Sequence, residues 1–232
     1  PTVGAAEAGV GWLLGLQNRD GGMPTFCRGW GKLPFDRSSP DLTAHAIRAW
    51  LAWRAELPAA QQRKVDTAVA RAAVFLRKTQ RADGAWIPLW FGHQEDAADE
   101  NPLYGTARVV PALCLLAGSG GTAIENSLER ALGWLVTKQN ADGGWSGAAG
   151  AASSMEESAL AVEALAAAWD SPGATPENLA PALQRGATWL VAAVEREAWH
   201  TPAPIGFYFA KLWYHERLYP LIFATGALTR LS

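Results

Sequence analysis

The sequence predicts an all-helical fold built by repetition, and three observations predict it. An aromatic-Leu pair, three spacer residues, Gln, two more and Asp-Gly recur as Trp12-Leu13…Gln17…Asp20-Gly21, Phe75-Leu76…Gln80…Asp83-Gly84 and Trp134-Leu135…Gln139…Asp142-Gly143, 63 and 59 residues apart. A period of this length marks a repeat architecture. Each phrase reads as the end of a helix: the aromatic and Leu lie on a buried face, and Asp-Gly supplies the left-handed residue that stops it. Between the phrases lie segments of Ala, Val and Leu that are apolar over most of their circumference, as buried helices are.

Taken in order, the first outer helix ends at Gln17, and the first inner helix begins at Pro40-Asp41-Leu42-Thr43-Ala44 and runs to about 53. A second outer helix, with Gln61, Gln62, Arg63, Lys64, Arg71, Arg77 and Lys78 on a solvent face, leads to a second inner helix starting at Tyr104-Gly105-Thr106-Ala107. The third pair ends its outer helix at Gln139 and starts its inner helix at Glu156-Glu157-Ser158-Ala159. A fourth outer helix, 181–197, keeps Trp189-Leu190 but neither Gln nor Asp-Gly, and a last helix spans about 219–230. Terminal repeats commonly degenerate in this way. That makes about four helix pairs. The loops 22–40, 86–102 and 144–153 all precede inner helices, where long connections gathered at one end form the mouth of a site.

Composition narrows the function. With 49% hydrophobic residues the chain has material for a sizeable core, and a net charge of −2 offers no basic field for nucleic acid. Cys27 and Cys114 are too few for a disulfide framework and show no zinc spacing, so no metal or cofactor is expected and a reducing, cytoplasmic setting fits. No run of 18 apolar residues appears. Twelve Trp exceed what helix packing alone requires.

The Gln/Asp-Gly/Trp phrase in alternating helices resembles the QW repeat of squalene-hopene and oxidosqualene cyclases, in the class II terpene cyclase superfamily. Gly84-Ala85-Trp86 and Gly143-Gly144-Trp145 complete the repeat, in which the family's Gln stacks on the Trp and ties one helix end to the next helix start. Asp41-Leu42-Thr43-Ala44-His45 is similar to the segment whose His hydrogen-bonds the family's catalytic acid. Trp86…Trp90…Leu103-Tyr104-Gly105-Thr106 matches the stretch holding a cavity Trp and a Tyr near that acid, and Gly206-Phe207-Tyr208-Phe209…Trp213-Tyr214-His215…Tyr219-Pro220 resembles the aromatic segment lining the pocket. The resemblance implies an α/α toroid, possessing here four of the usual six pairs. It also implies that 1–232 is the C-terminal toroid portion with its upstream helices missing, and that an N-terminal half or partner toroid completes it.

One motif departs from the family. Its Asp-x-Asp-Asp acid follows the first Gly-Gly, but after Gly21-Gly22 the chain reads Cys27-Arg28-Gly29-Trp30. A carboxylic acid protonates an alkene only when held neutral and dry, which neither a thiol nor a guanidinium can imitate. The nearest acids are Asp36 and Asp41. Asp41 and His45, four apart, share a helix face and read either as a catalytic dyad or as a cap with a packed inner His. Tyr104 is the third catalytic candidate. Trp30, Phe35, Trp90, Phe207, Tyr208 and Trp213 fall at loops and helix mouths and are expected to line the pocket, whereas Trp12, Phe75, Trp134 and Trp189 follow the helix repeat as packing residues. Arg28, Lys32 and Arg37 read as anion binders or as solvated loop charges. Glu156 and Glu157 read as an acid pair or as helix-start acids, and His93 with Glu95, Asp96, Asp99 and Glu100 as a metal site or a solvated acidic lid.

Three functions follow from these readings. The first is an isoprenoid cyclase or isomerase, binding a long polyprenyl chain in an aromatic cavity and in peripheral contact with a membrane. The second is an inactive isoprenoid-binding or assembly module. The third, the related protein prenyltransferase β-subunit toroid, needs an Asp/Cys/His zinc site whose spacing is absent.

Overall fold

Each Gln/Asp-Gly phrase closes an outer helix and turns the chain toward an inner one. The computed structural model describes residues 2–118, 121–169, 171–172, 174–203, 205–207 and 212–232. Its helices are α1 (Thr2–Leu16), α2 (Pro40–Trp53), α3 (Ala59–Thr79), α4 (Pro102–Leu116), α5 (Thr122–Thr137), α6 (Met155–Ala168), α7 (Pro176–Glu195) and α8 (Tyr219–Leu231). Two-residue strands pair antiparallel as β1 (Met23–Pro24) with β2 (Ser38–Ser39) and β3 (Gly206–Phe207) with β4 (Trp213–Tyr214). The chain forms two compact units, Pro1–Gln80 and Arg81–Ser232.

In the first unit α1, α2 and α3 pack on one another. Pro40 opens α2 at a position where no backbone N–H is needed, and Ala44, Ile47 and Trp50 at i, i+3 and i+6 are fully buried. The longer α3 buries Val65, Ala68, Ala72, Phe75 and Leu76 along one stripe, and Arg77 and Lys78 in its last turn oppose the helix dipole.

In the second unit α4, α6 and α8 form a row with α6 in the middle, while α5 and α7 make a second layer against α4 and α6. Asn101 caps α4 by accepting from the Tyr104 N–H at 2.9 Å, and Ser154 caps α6 by accepting from the Glu157 N–H at 3.1 Å. Both helices are apolar nearly all round and accordingly buried. No helix among the described residues is long and apolar enough to cross a membrane.

The repeat phrase has a structural job. Gln17 Nε2 donates to Gly21 O (2.9 Å) and Ala68 O (2.8 Å), joining the end of α1 to the body of α3. Gln139 does the same from α5 to α7 through Gly143 O and Ala182 O, both at 2.8 Å. The tie therefore runs to the middle of the next outer helix rather than to a helix start. Gly21 has φ +93°, and a Cβ there would lie 2.4 Å from Arg71 O, so the turn that ends α1 admits only glycine.

One boundary differs from expectation. The fourth outer helix starts at Pro176 rather than near 181: Pro176 takes the first turn after Thr175, and Pro181 is carried inside α7.

Candidate functional site

A hydroxyl register is repeated in three inner helices, one in the first unit and two in the second. Thr43, Thr106 and Ser158 each accept from the backbone N–H that follows the turn: Met23 N (2.9 Å), Trp86 N (3.1 Å) and Trp145 N (2.9 Å). These bonds fix equivalent positions in α2, α4 and α6. Two residues earlier stand Asp41, Tyr104 and Glu156, only 3%, 5% and 0% exposed. Two residues later stand His45, Arg108 and Leu160.

In the first unit the carboxylate of Asp41 is hydrogen-bonded by the Ser39 hydroxyl, and the Ser39 carbonyl accepts from Thr43 Oγ1 at 2.6 Å. His45 lies at the exposed edge of α2. Asp36 is buried for another reason: its oxygens accept from Trp30 N (3.0 Å) and Leu33 N (2.7 Å) and so shape the loop. Cys27, Arg28, Trp30, Lys32, Phe35 and Arg37 all reach solvent from that loop, Trp30 with 86% of its surface.

In the second unit Tyr104 stacks on Phe91 with centroids 3.7 Å apart, and Trp90 is buried beside it in sequence. Gly92 N donates to Ile205 O at 3.0 Å and Phe91 bridges Gly206. The backbone of Phe207 pairs with that of half-buried Trp213, so the 90–92 segment, β3 and β4 lie together. Tyr208 lies outside the described residues.

Two acids read from the sequence as ordinary helix-start residues turn out to be the most enclosed charges of this unit. Glu157 Oε2 accepts from the Oγ of the capping Ser154 at 2.9 Å, while the Ser154 N–H donates to Trp145 O instead of closing a capping box. Its Oε1 accepts from Asn101 Nδ2 at 2.8 Å, and His93 Nε2 stands 3.8 Å from Oε2. Burial pushes its carboxyl above the ordinary value, against the pull of His93. Glu156 accepts from Ala203 N at 2.6 Å through Oε1, whereas Oε2 has no partner among the described residues. Burial raises its pKa to about 7.

His93 is likewise not part of a solvated lid. Its side chain is 13% exposed; Nδ1 accepts from Glu95 N (3.2 Å), which places the proton of a neutral ring on Nε2, facing Ser146 Oγ (3.2 Å) and Glu157. A cleft of about 440 Å³ opens alongside, lined by His93, Ser154, Met155, Arg196, Thr201 and Ala203 among others. Among the described residues no group of three or more His, Cys, Asp or Glu could hold a metal ion. The signal for Glu156 was in the sequence: Ser158 stands to Trp145 as Thr43 stands to Met23.

Within the second unit, a buried carboxyl with a raised pKa and a phenol stacked on Phe91 are groups that can hold an apolar chain and deliver a proton in a dry environment. Residues 2–232 match the squalene-hopene cyclase C-terminal domain. A probable squalene–hopene cyclase of Sinorhizobium fredii is 28% identical over 94% of this chain and 34% of its own length. A copalyl diphosphate synthase of Streptomyces cyslabdanicus is 32% identical over 79% of this chain and 30% of its own. Among solved structures, the ent-copalyl diphosphate synthase of Streptomyces platensis superimposes with a TM-score of 0.67, at 24% identity, covering 94% of this chain and 37% of that one. The chain spans no more than about a third of the length of the first curated relatives. Repeat, all-helical α/α-toroid-type fold and family match agree: the chain belongs to the squalene-hopene cyclase C-terminal domain family, within the terpene cyclases.

Proposed function

We propose that this domain binds a long polyprenyl chain against aromatic side chains at the inner-helix mouths and isomerises it by proton-initiated cyclisation. The observation that carries the reading is the shared register of Asp41, Tyr104 and Glu156, each buried at the same position of its own inner helix. A carboxylic acid gives its proton to a terminal double bond or epoxide. The cation closes rings along the aromatic faces, and loss of a proton to a base restores neutrality, so the product is an isomer. Asp41 and Glu156 are the two carboxyls available as donor. Asp36, already engaged by two loop N–H groups, holds the loop instead. In the second unit Trp90 and Trp213 serve as pocket walls; Tyr208 and the Phe207 side chain lie outside the described residues. An N-terminal half or partner toroid completes the enclosure, and peripheral membrane contact delivers the substrate.

Incubating the full-length protein with squalene, oxidosqualene and prenyl diphosphates, with products read by mass spectrometry, tests this. Cyclised isomers that disappear in Asp41→Asn or Glu156→Gln are expected; no product from any of them would reject catalysis.

A second reading has an observation of its own. The loop standing in place of the family's acid, 27–30, is exposed and carries no carboxylate, which favours a binding module that retains the pocket without turnover. Tight polyene binding with no product would select it.

A further inference from the structure

Arg108 holds in α4 the place that His45 holds in α2, and its side chain is only 12% exposed. The guanidinium lies over the Phe223 ring of α8, 4.6 Å from its centroid, and 5.4 Å from that of Tyr104. Stacking occupies the faces of the guanidinium. Its five N–H donors radiate in the plane and still require acceptors. Arg108 donates to none among the described residues: Glu163 Oε2 of α6 stands 3.8 Å from Nη1, beyond hydrogen-bond length, and Nε is buried without a partner. The buried Nε–H is costly unless an acceptor completes it.

We propose that Arg108 is an anion-binding residue that receives the negatively charged, oxygen-bearing head of an apolar ligand whose hydrocarbon runs against Phe91, Tyr104 and Phe223. The inference rests on the isoprenoid reading above and adds a charged head to it. A phosphate or a carboxylate presents two oxygens that match the guanidinium fork. Glu163 is the counter-charge when the site is empty and opposes an incoming anion.

The full-length protein is titrated calorimetrically with farnesyl diphosphate, farnesoic acid, farnesol and squalene. At least one anionic probe should bind about tenfold or more tighter than farnesol, and the comparison of diphosphate with carboxylate identifies the head. Arg108→Gln should abolish that preference while leaving farnesol binding in place, Arg108→Lys should weaken it, and Glu163→Gln should strengthen anion binding several-fold. The melting temperature does not discriminate, since Arg108→Gln also gives up the ring contacts and the charge opposite Glu163; a purely structural arginine would leave the head-group preference intact in the variant. Equal binding of farnesol and both anions, or a preference that survives in Arg108→Gln and Arg108→Lys, overturns the anion site and leaves the isoprenoid reading standing. Failure of all four probes to bind overturns both.

Discussion

Replacing Glu156 by Gln isolates the effect of one buried carboxyl on stability. Its pKa is raised from 4.5 to about 7, chiefly by burial. In the unfolded chain it ionises near the ordinary value; in the folded chain it stays protonated until neutral pH. The folded state therefore binds the extra proton between these values, and stability is fully present below the unfolded pKa and lost as pH rises through the folded one. One proton across this interval is worth roughly 1.4 kcal/mol per pH unit, so between pH 5 and pH 8 Glu156 withdraws about 2 to 3 kcal/mol. Gln keeps the acceptor for Ala203 N and cannot ionise. Urea denaturation of wild type and Glu156→Gln across that range should show the variant gaining on the wild type by this amount as pH rises. A difference that stays constant from pH 5 to pH 8 would refute the assignment of a neutral Glu156.

Three other outcomes are expected. Gln17→Ala removes donors from Gly21 O and Ala68 O; since Ala68 O is also placed to accept within α3, the loss should be near 2 kcal/mol in a urea melt. Gly147→Ala would put a Cβ 2.5 Å from Glu157 Oε1 and 2.6 Å from Asn101 Oδ1, so the variant should lose roughly 1–3 kcal/mol of stability in thermal melts. Asp36→Ala frees the Trp30 and Leu33 N–H groups, and limited trypsin digestion should cut faster at Arg28 and Lys32 while the melting temperature changes little.

The repeat made the outer helices legible, because Gln17 and Gln139 form the same pair of bonds at the same spacing from Asp-Gly. Apolar circumference made α4 and α6 legible as inner helices. The start of α7 was misplaced because two prolines, Pro176 and Pro181, could each open a helix, and only packing decides between them. Asp41 and Tyr104 stood out through the motifs around them, yet Glu156 did not. A carboxylate at a helix N-terminus is favourable on local grounds alone, and nothing local reveals that Ala203, 47 residues on, donates to it. His93 was misread for the same reason: its run of acidic neighbours suggests solvent, while its burial comes from Ser146 and Glu157, more than fifty residues away in sequence.

The central claim is that a buried carboxyl starts cyclisation by giving up a proton, and the origin of that proton can be followed. The full-length protein, equilibrated in deuterium oxide, would be incubated with squalene, oxidosqualene and prenyl diphosphates and its products weighed. From squalene or a prenyl diphosphate, whose terminal double bond takes the deuteron onto carbon, a cyclised isomer carrying one non-exchangeable deuteron, and diminished in Asp41→Asn or Glu156→Gln, is the predicted result; an unlabelled product from either, or one formed equally by both variants, would contradict it.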